Sequence, residues 1–82
     1  MIPSALQSYT RAAWVDADGG TVAEVLGDLD RQYPGIRFRM VDEQGQVRPH
    51  IRLFINQTQT FQLEAVLTAE DRLHIVQALS GG

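Results

Sequence analysis

The chain closes on Gln77-Ala78-Leu79-Ser80-Gly81-Gly82, and its last two residues pose the first chemical question. Paired glycines are costly in conformational entropy and pack nothing, so folding alone gives no reason for them. A backbone without Cβ atoms, however, can thread a slot closed to every side chain and present the α-carboxylate of Gly82 as a reacting group. That carboxylate is inert until adenylated; the activated acyl carbon then accepts a sulfur or an amine nucleophile. As composition alone a Gly-Gly end is a weak signal, and it gains weight from a compact domain placed directly before it.

Other reactive constellations are missing from the sequence. There is no Cys and no Lys, and no Gly-x-Ser-x-Gly elbow to expose a serine. Ser4, Ser8 and Ser80 fall in terminal segments. His50 and His74 each sit in a strand pattern with no companion ligand at a telling spacing, so no metal site is expected. Gly19-Gly20 lacks the Gly-Lys-Ser/Thr context of a phosphate loop. Asp42-Glu43 and Glu70-Asp71 fall in turns, where acidic residues are commonplace. The chain is therefore expected not to be an enzyme in its own right.

Eighty-two residues make one small domain, which buries only about 60–65% of the surface its unfolded chain exposes. A composition of 44% hydrophobic and 21% charged residues is that of a globular protein and excludes a disordered tail or a collagen-like repeat. No apolar run approaches the roughly 18 residues of a membrane span, and Met1-Ile2-Pro3 has neither the basic nor the apolar region of a signal peptide. Without cysteine there are no disulfides, and cytoplasmic residence is expected. A net charge of −3 argues against nucleic acid as a partner. All seven basic residues are arginine; a lysine-free surface would be unable to capture its own activated glycyl end.

The elements needed to hold such a tail can be read along the chain. Arg11–Asp16 leans to β-structure and ends at the turn signal Asp18-Gly19-Gly20. Thr21 and Glu24 form a capping-box pair, with Glu24 reaching back to the Thr21 amide. Val22, Val25, Leu26, Leu29 and Tyr33 follow as one helical apolar stripe, which Pro34-Gly35 stops. Ile36–Val41 alternates at first and leads to a hairpin-like tip at Asp42–Gly45. His50–Ile55 is a strand with Ile51, Leu53 and Ile55 on one side. Asn56-Gln57-Thr58 reads as a turn and Phe61–Leu63 as a short strand. Leu73–Val76 is a strand expected to be covered on one face and flanked on both edges. The order predicts an α+β layer pair, a mixed sheet with one main helix laid across it.

Several stretches together carry a resemblance: Ile2-Pro3-Ser4-Ala5-Leu6, Gly20–Leu26, Tyr33-Pro34-Gly35, Arg48–Asn56, and Asp71 through Gly81-Gly82. In this order they are similar to the MoaD/ThiS family of ubiquitin-like sulfur carriers, whose fold is the β-grasp. The resemblance implies a β-grasp domain over residues 1–78 and a flexible tail over 79–82. It also implies that an adenylating enzyme of the ubiquitin-activating type, using ATP and magnesium, activates Gly82, and that a sulfur donor converts it to a thiocarboxylate. A sulfur-accepting synthase would then consume the sulfur, in molybdopterin, cysteine or specialised-metabolite biosynthesis. The chain itself would bind no cofactor. Gly81 and Ser80 would give clearance in the tunnel, and Leu79 would pack at its mouth or serve as the last core residue. Phe54 and Phe61 would contribute to an apolar face that docks partners, or pack as ordinary sheet residues.

Departures from the family pattern shape the remaining expectations. The family's first strand runs several residues ahead of the Ile-Pro segment, so that strand is expected to be truncated here. Ser80 replaces a common Ala, and Glu70-Asp71 a common Gly-Asp. Two other functions stay open at this point: a ubiquitin-like modifier joined through Gly82 to target lysines, and a non-catalytic interaction module.

Overall fold

The computed structural model describes residues 1–78. The chain opens with a 3₁₀ turn at Ser4–Leu6 that runs into a short helix, α1 (Gln7–Thr10). The main helix α2 (Val22–Gln32) and a short α3 (Ile36–Met40) follow, then strands β1 (Ile51–Ile55), β2 (Thr58–Thr60) and β3 (Leu73–Gln77). The sheet order is β2-β1-β3, antiparallel throughout. Leu53 pairs with both Thr60 and Ile75, so β1 lies at the centre.

The expected first strand is reduced to one residue. The Met1 amine donates to the Leu73 carbonyl at 2.6 Å, and the Met1 carbonyl accepts from the Ile75 amide at 2.9 Å. A residue bonded on either side of its neighbour is the parallel-ladder pattern. Pro3 cannot extend the ladder, having no N–H, and the chain turns away into the 3₁₀ segment. β3 is thus flanked on both edges, as its apolar sequence requires.

Helix α2 begins where the cap predicts. The Glu24 amide donates to Thr21 Oγ1 at 3.2 Å, while Glu24 Oε1 accepts from the Gly20 amide at 2.8 Å rather than from that of Thr21. The next two unpartnered helix donors are met from a distant segment. Val22 donates to the Ala65 carbonyl at 3.0 Å and Ala23 to that of Leu63 at 2.8 Å. Val22, Leu26 and Leu29 bury the stripe against Leu53 and Ile75 of the sheet, while Val25 and Tyr33 are half-buried.

Three local expectations are corrected. Ile36–Met40 is helical, because Ile36 and Met40 lie four apart and both are fully buried on one face. Alternation over five residues fits either period there; Phe38, 55% exposed, falls off the buried face. Asp30 Oδ1 also anchors this turn by accepting from the Gly35 and Arg37 amides at 3.1 and 3.2 Å. The short strand sits at Thr58–Thr60 instead of Phe61–Leu63, since Asn56 takes a left-handed conformation (φ 57°) and pairing restarts immediately after a two-residue turn. Arg11–Asp16 forms no strand: Pro3 ends its neighbour's ladder, and one bond, Ile2 N–H to the Ala13 carbonyl at 2.7 Å, is what links the two segments.

Gly19 sits directly beneath the first turn of α2, where a Cβ would lie 2.6 Å from the Val25 nitrogen. Because the obstacle is helix backbone, Gly19→Ala is expected to destabilise by about 1–3 kcal/mol, as overpacking commonly does. Leu26→Ala, which empties the centre of the stripe, is expected to cost about 2–5 kcal/mol. Urea titration followed by circular dichroism measures both; an unchanged midpoint for Gly19→Ala refutes the clash.

Candidate functional site

β3 runs directly to the tail, and its pairing holds to the last described residue: the Ala78 amide donates to the His50 carbonyl at 2.7 Å. Gly82, Gly81, Ser80 and Leu79 lie outside the described residues. What the structure describes is the sheet that precedes them in the chain.

The candidate surface of that sheet is the face turned away from α2. Strand alternation places Ile51, Leu53 and Ile75 in the core, so Arg52 and Phe54 of β1, with His74 and Val76 of β3, face the other way. The register sets Arg52 opposite Val76, Phe54 opposite His74 and Gln59 opposite Phe54. Trp14 extends the row beyond β3. Its ring meets the His74 imidazole edge-on, with centroids 5.5 Å apart at 81°, and the Arg72 guanidinium lies 5.5 Å from the same indole. Such contacts orient a side chain that is still 52% exposed.

The turn into β3 is clamped to the β1–β2 hairpin. Asn56 Nδ2 donates to Asp71 Oδ1 at 2.9 Å, and the Arg72 amide donates to Asn56 Oδ1 at 3.0 Å. Asp71 Oδ2 accepts from the Thr68 amide at 2.9 Å. The Thr68 amide, and then the Asn56 side chain, hold the Asp71 carboxyl below the ordinary carboxylate value of 3.8. Asp71 thereby holds the turn that leads into β3.

Of the residues singled out by sequence, Phe54 falls on this outer face, half-buried. Phe61 does not join it. It lies past the end of β2, 80% exposed, at a groove of about 860 Å³ bordered by Val47, Arg48 and Leu63. The sequence reading missed Trp14, Arg52, Arg72, His74 and Val76. For the strand residues the available signal was the two-residue period of β1 and β3, whose polar members occupy the outer face. Among the described residues no group of three His, Asp or Glu side chains converges as a metal site would require. No helix among them is long and apolar enough to cross a membrane.

The arrangement of one main helix packed on a three-stranded antiparallel sheet, with Met1 added at the edge of β3, is that of the ubiquitin-like β-grasp class. Its structural neighbours agree. A chain of the Amycolatopsis orientalis BexX/CysO complex superposes with a TM-score of 0.89 at 32% identity, covering 99% of this chain and 94% of that one. CysO of Mycobacterium tuberculosis gives 0.88 at 26% identity, covering 95% and 94%. Small archaeal modifier protein 3 of Haloferax volcanii is 34% identical over 58 residues, 71% of this chain and 62% of that protein's length. The ThiS family model matches residues 2–82, and the chain belongs to that family.

The Asp71 clamp makes a pH-dependent contribution whose sign follows from its lowered pKa. A depressed carboxyl stabilises the fold above its unfolded pKa, and that stability is lost as pH falls through the folded value. Asp71→Asn is therefore expected to be less stable than the parent at pH 7, with the gap closing as pH drops below about 4. Urea midpoints at pH 7 and pH 3 measure it; a constant gap refutes the assignment.

Proposed function

We propose that this protein is a sulfur carrier whose C-terminal Gly82 is adenylated and converted to a thiocarboxylate. The carrying observation is a β-grasp body of the ThiS family whose β3 ends at Gln77, with three residues in sequence between it and a Gly-Gly end. In the first step a Gly82 carboxylate oxygen attacks the α-phosphorus of ATP and pyrophosphate leaves. In the second, sulfur at the sulfide level attacks the acyl carbon and AMP leaves with the carboxylate oxygen.

The enzyme that binds ATP and magnesium is a partner of the ubiquitin-activating type, and a synthase that accepts the sulfur is a second one. Every catalytic group belongs to those partners. This chain supplies the carboxylate, the side-chain-free approach of Gly81, the small Ser80, the apolar Leu79 and a docking face around Phe54. This division follows from the reading itself, because an end that enters another protein's site does not carry that site's groups with it. The reaction takes place in the cytoplasm, and the sulfur passes to cofactor, cysteine or specialised-metabolite biosynthesis.

One observation favours a second reading. The relative at 34% identity is named a small archaeal modifier protein. In that reading the same activated Gly82 is attacked by a lysine amine of a target, AMP leaves and an isopeptide forms. Intact-mass analysis of the protein from its native host separates the two. Replacement of one C-terminal oxygen by sulfur, lost when Gly82 is deleted, is the expected result. High-mass conjugates with no thiocarboxylate would establish the modifier instead, and unmodified protein under conditions of sulfur demand would refute both.

A further inference from the structure

We infer that the groove beside Phe61 is a resting berth for the chain's own end. It holds the Gly82 carboxylate at the Arg52 and Arg48 guanidiniums, and Leu79 against Pro49, until an activating enzyme draws the segment out. The inference rests on the carrier reading for Gly82 as the free end of the chain.

The groove exists because β2 stops early. Its final pair sets Thr60 opposite Leu53, so Ile51 has no neighbouring strand on that side. Residues 45–49 and 61–64 stand apart as two walls, with about 860 Å³ between them. The open edge is closed locally: the Ile51 amide donates to the Arg48 carbonyl at 2.9 Å, and the Ile51 carbonyl accepts from Arg52 Nη1 at 3.2 Å.

Arg48 and Arg52 both line this groove, and Glu64 is the one acidic side chain there. Among the described residues neither cation has a carboxylate within ion-pair distance. The groove is thus cationic on a chain whose net charge is −3. Backbone acceptors place both heads in advance. Arg52 Nη1 donates to the Pro49 carbonyl; Arg48 Nε donates to that of Phe38 at 2.7 Å, with the guanidinium 4.6 Å over the Phe38 ring. Among the described residues this leaves Arg52 Nε and Nη2 as a fork of parallel N–H groups, the geometry that grips a carboxylate with two bonds.

The anion that comes with the fold is the chain's own end. The Ala78 amide donates to the His50 carbonyl at 2.7 Å, and His50 adjoins Pro49, whose carbonyl orients Arg52. Four further residues reach about 13 Å when extended. Two hydrogen bonds and one Cα–Cα step of about 3.8 Å bring the Arg52 head within that span. One carboxylate on solvated guanidiniums binds weakly, so an effective concentration on the order of millimolar is what fills the berth. Occupancy of two-thirds raises the apparent KM of the activating enzyme about threefold. Adenylation removes the charge of the end and with it the hold of the berth.

The test compares ¹⁵N-labelled full chain with a chain lacking residues 79–82 and with one ending in a Gly82 carboxamide, made by ligation. The carboxamide removes the charge and leaves every side chain in place. Backbone amides of Val47, Phe61 and Leu63 are expected to shift in both variants while those of α2 stay. In Arg52→Gln the shift between acid and carboxamide is expected to fall at least threefold. Groove amides that match in all three chains overturn the berth. In ATP–pyrophosphate exchange with the adenylating enzyme of the same host, Arg48→Gln/Arg52→Gln is expected to lower KM about threefold with kcat within twofold. Thermal unfolding checks the pair, and Arg52→Gln, on an exposed side chain, is assayed alone beside it. KM unchanged or raised in a folded variant overturns the resting role. Exchange that survives deletion of Gly82 overturns the carrier reading instead, and the amide comparison, which uses no enzyme, still judges the berth.

Discussion

The five-pair register between β1 and β3 is the constraint on which the molecule turns. Because side chains alternate, that single pairing decides both faces of the sheet at once. Ile51, Leu53 and Ile75 go beneath α2, and Arg52, Phe54, His74 and Val76 go outward. A slip of one residue in either strand would exchange the two sets, burying an arginine and exposing the core. The same pairing runs the full length of β3, to Gln77 opposite Ile51. Core and outer face are therefore set by one pattern of backbone hydrogen bonds.

A chain this small has little apolar surface to spare, and several of its segments serve two purposes. The stretch 62–67 supplies Leu67 to the core and the Leu63 and Ala65 carbonyls to the open start of α2. Asp30 closes α2 and opens α3 with one oxygen. Asn56 turns the hairpin with a left-handed backbone and clamps the approach to β3 with its side chain. Each economy joins residues that are distant in sequence, so local damage is felt across the domain. Met1 shows how far it goes, completing the flank of β3 as a single residue with two hydrogen bonds.

Two carboxylates tie separate segments together, and both are held below the usual carboxylate value. For Asp28 the cause is first the Asp18 amide and then the Arg31 and Gln32 side chains; for Asp71 it is first the Thr68 amide and then the Asn56 side chain.

Much of this was legible without coordinates. The capping pair Thr21 and Glu24, the stripe from Val22 to Leu29 and the stop at Pro34-Gly35 obey short-range rules, and the helix lies where they put it. The Gly-Gly end and the alternation of Ile51 and Leu53 were equally plain. The failures are instructive because each involved a pattern compatible with two answers. Ile36, Phe38 and Met40 suit a strand or a helix, and burial of the first and last alone decided between them. β2 moved to Thr58 because Asn56 could adopt a left-handed turn, a choice its sequence neighbours permit but do not compel.

By itself, then, the order of amino acids determined the main helix and the two long strands, because propensity, capping and periodicity act over a few residues. Tertiary structure alone decided that α3 exists and that Trp14, Arg72 and His74 meet beside Phe54. Those outcomes depend on which distant segments share an edge of the sheet, and no local rule contains that information.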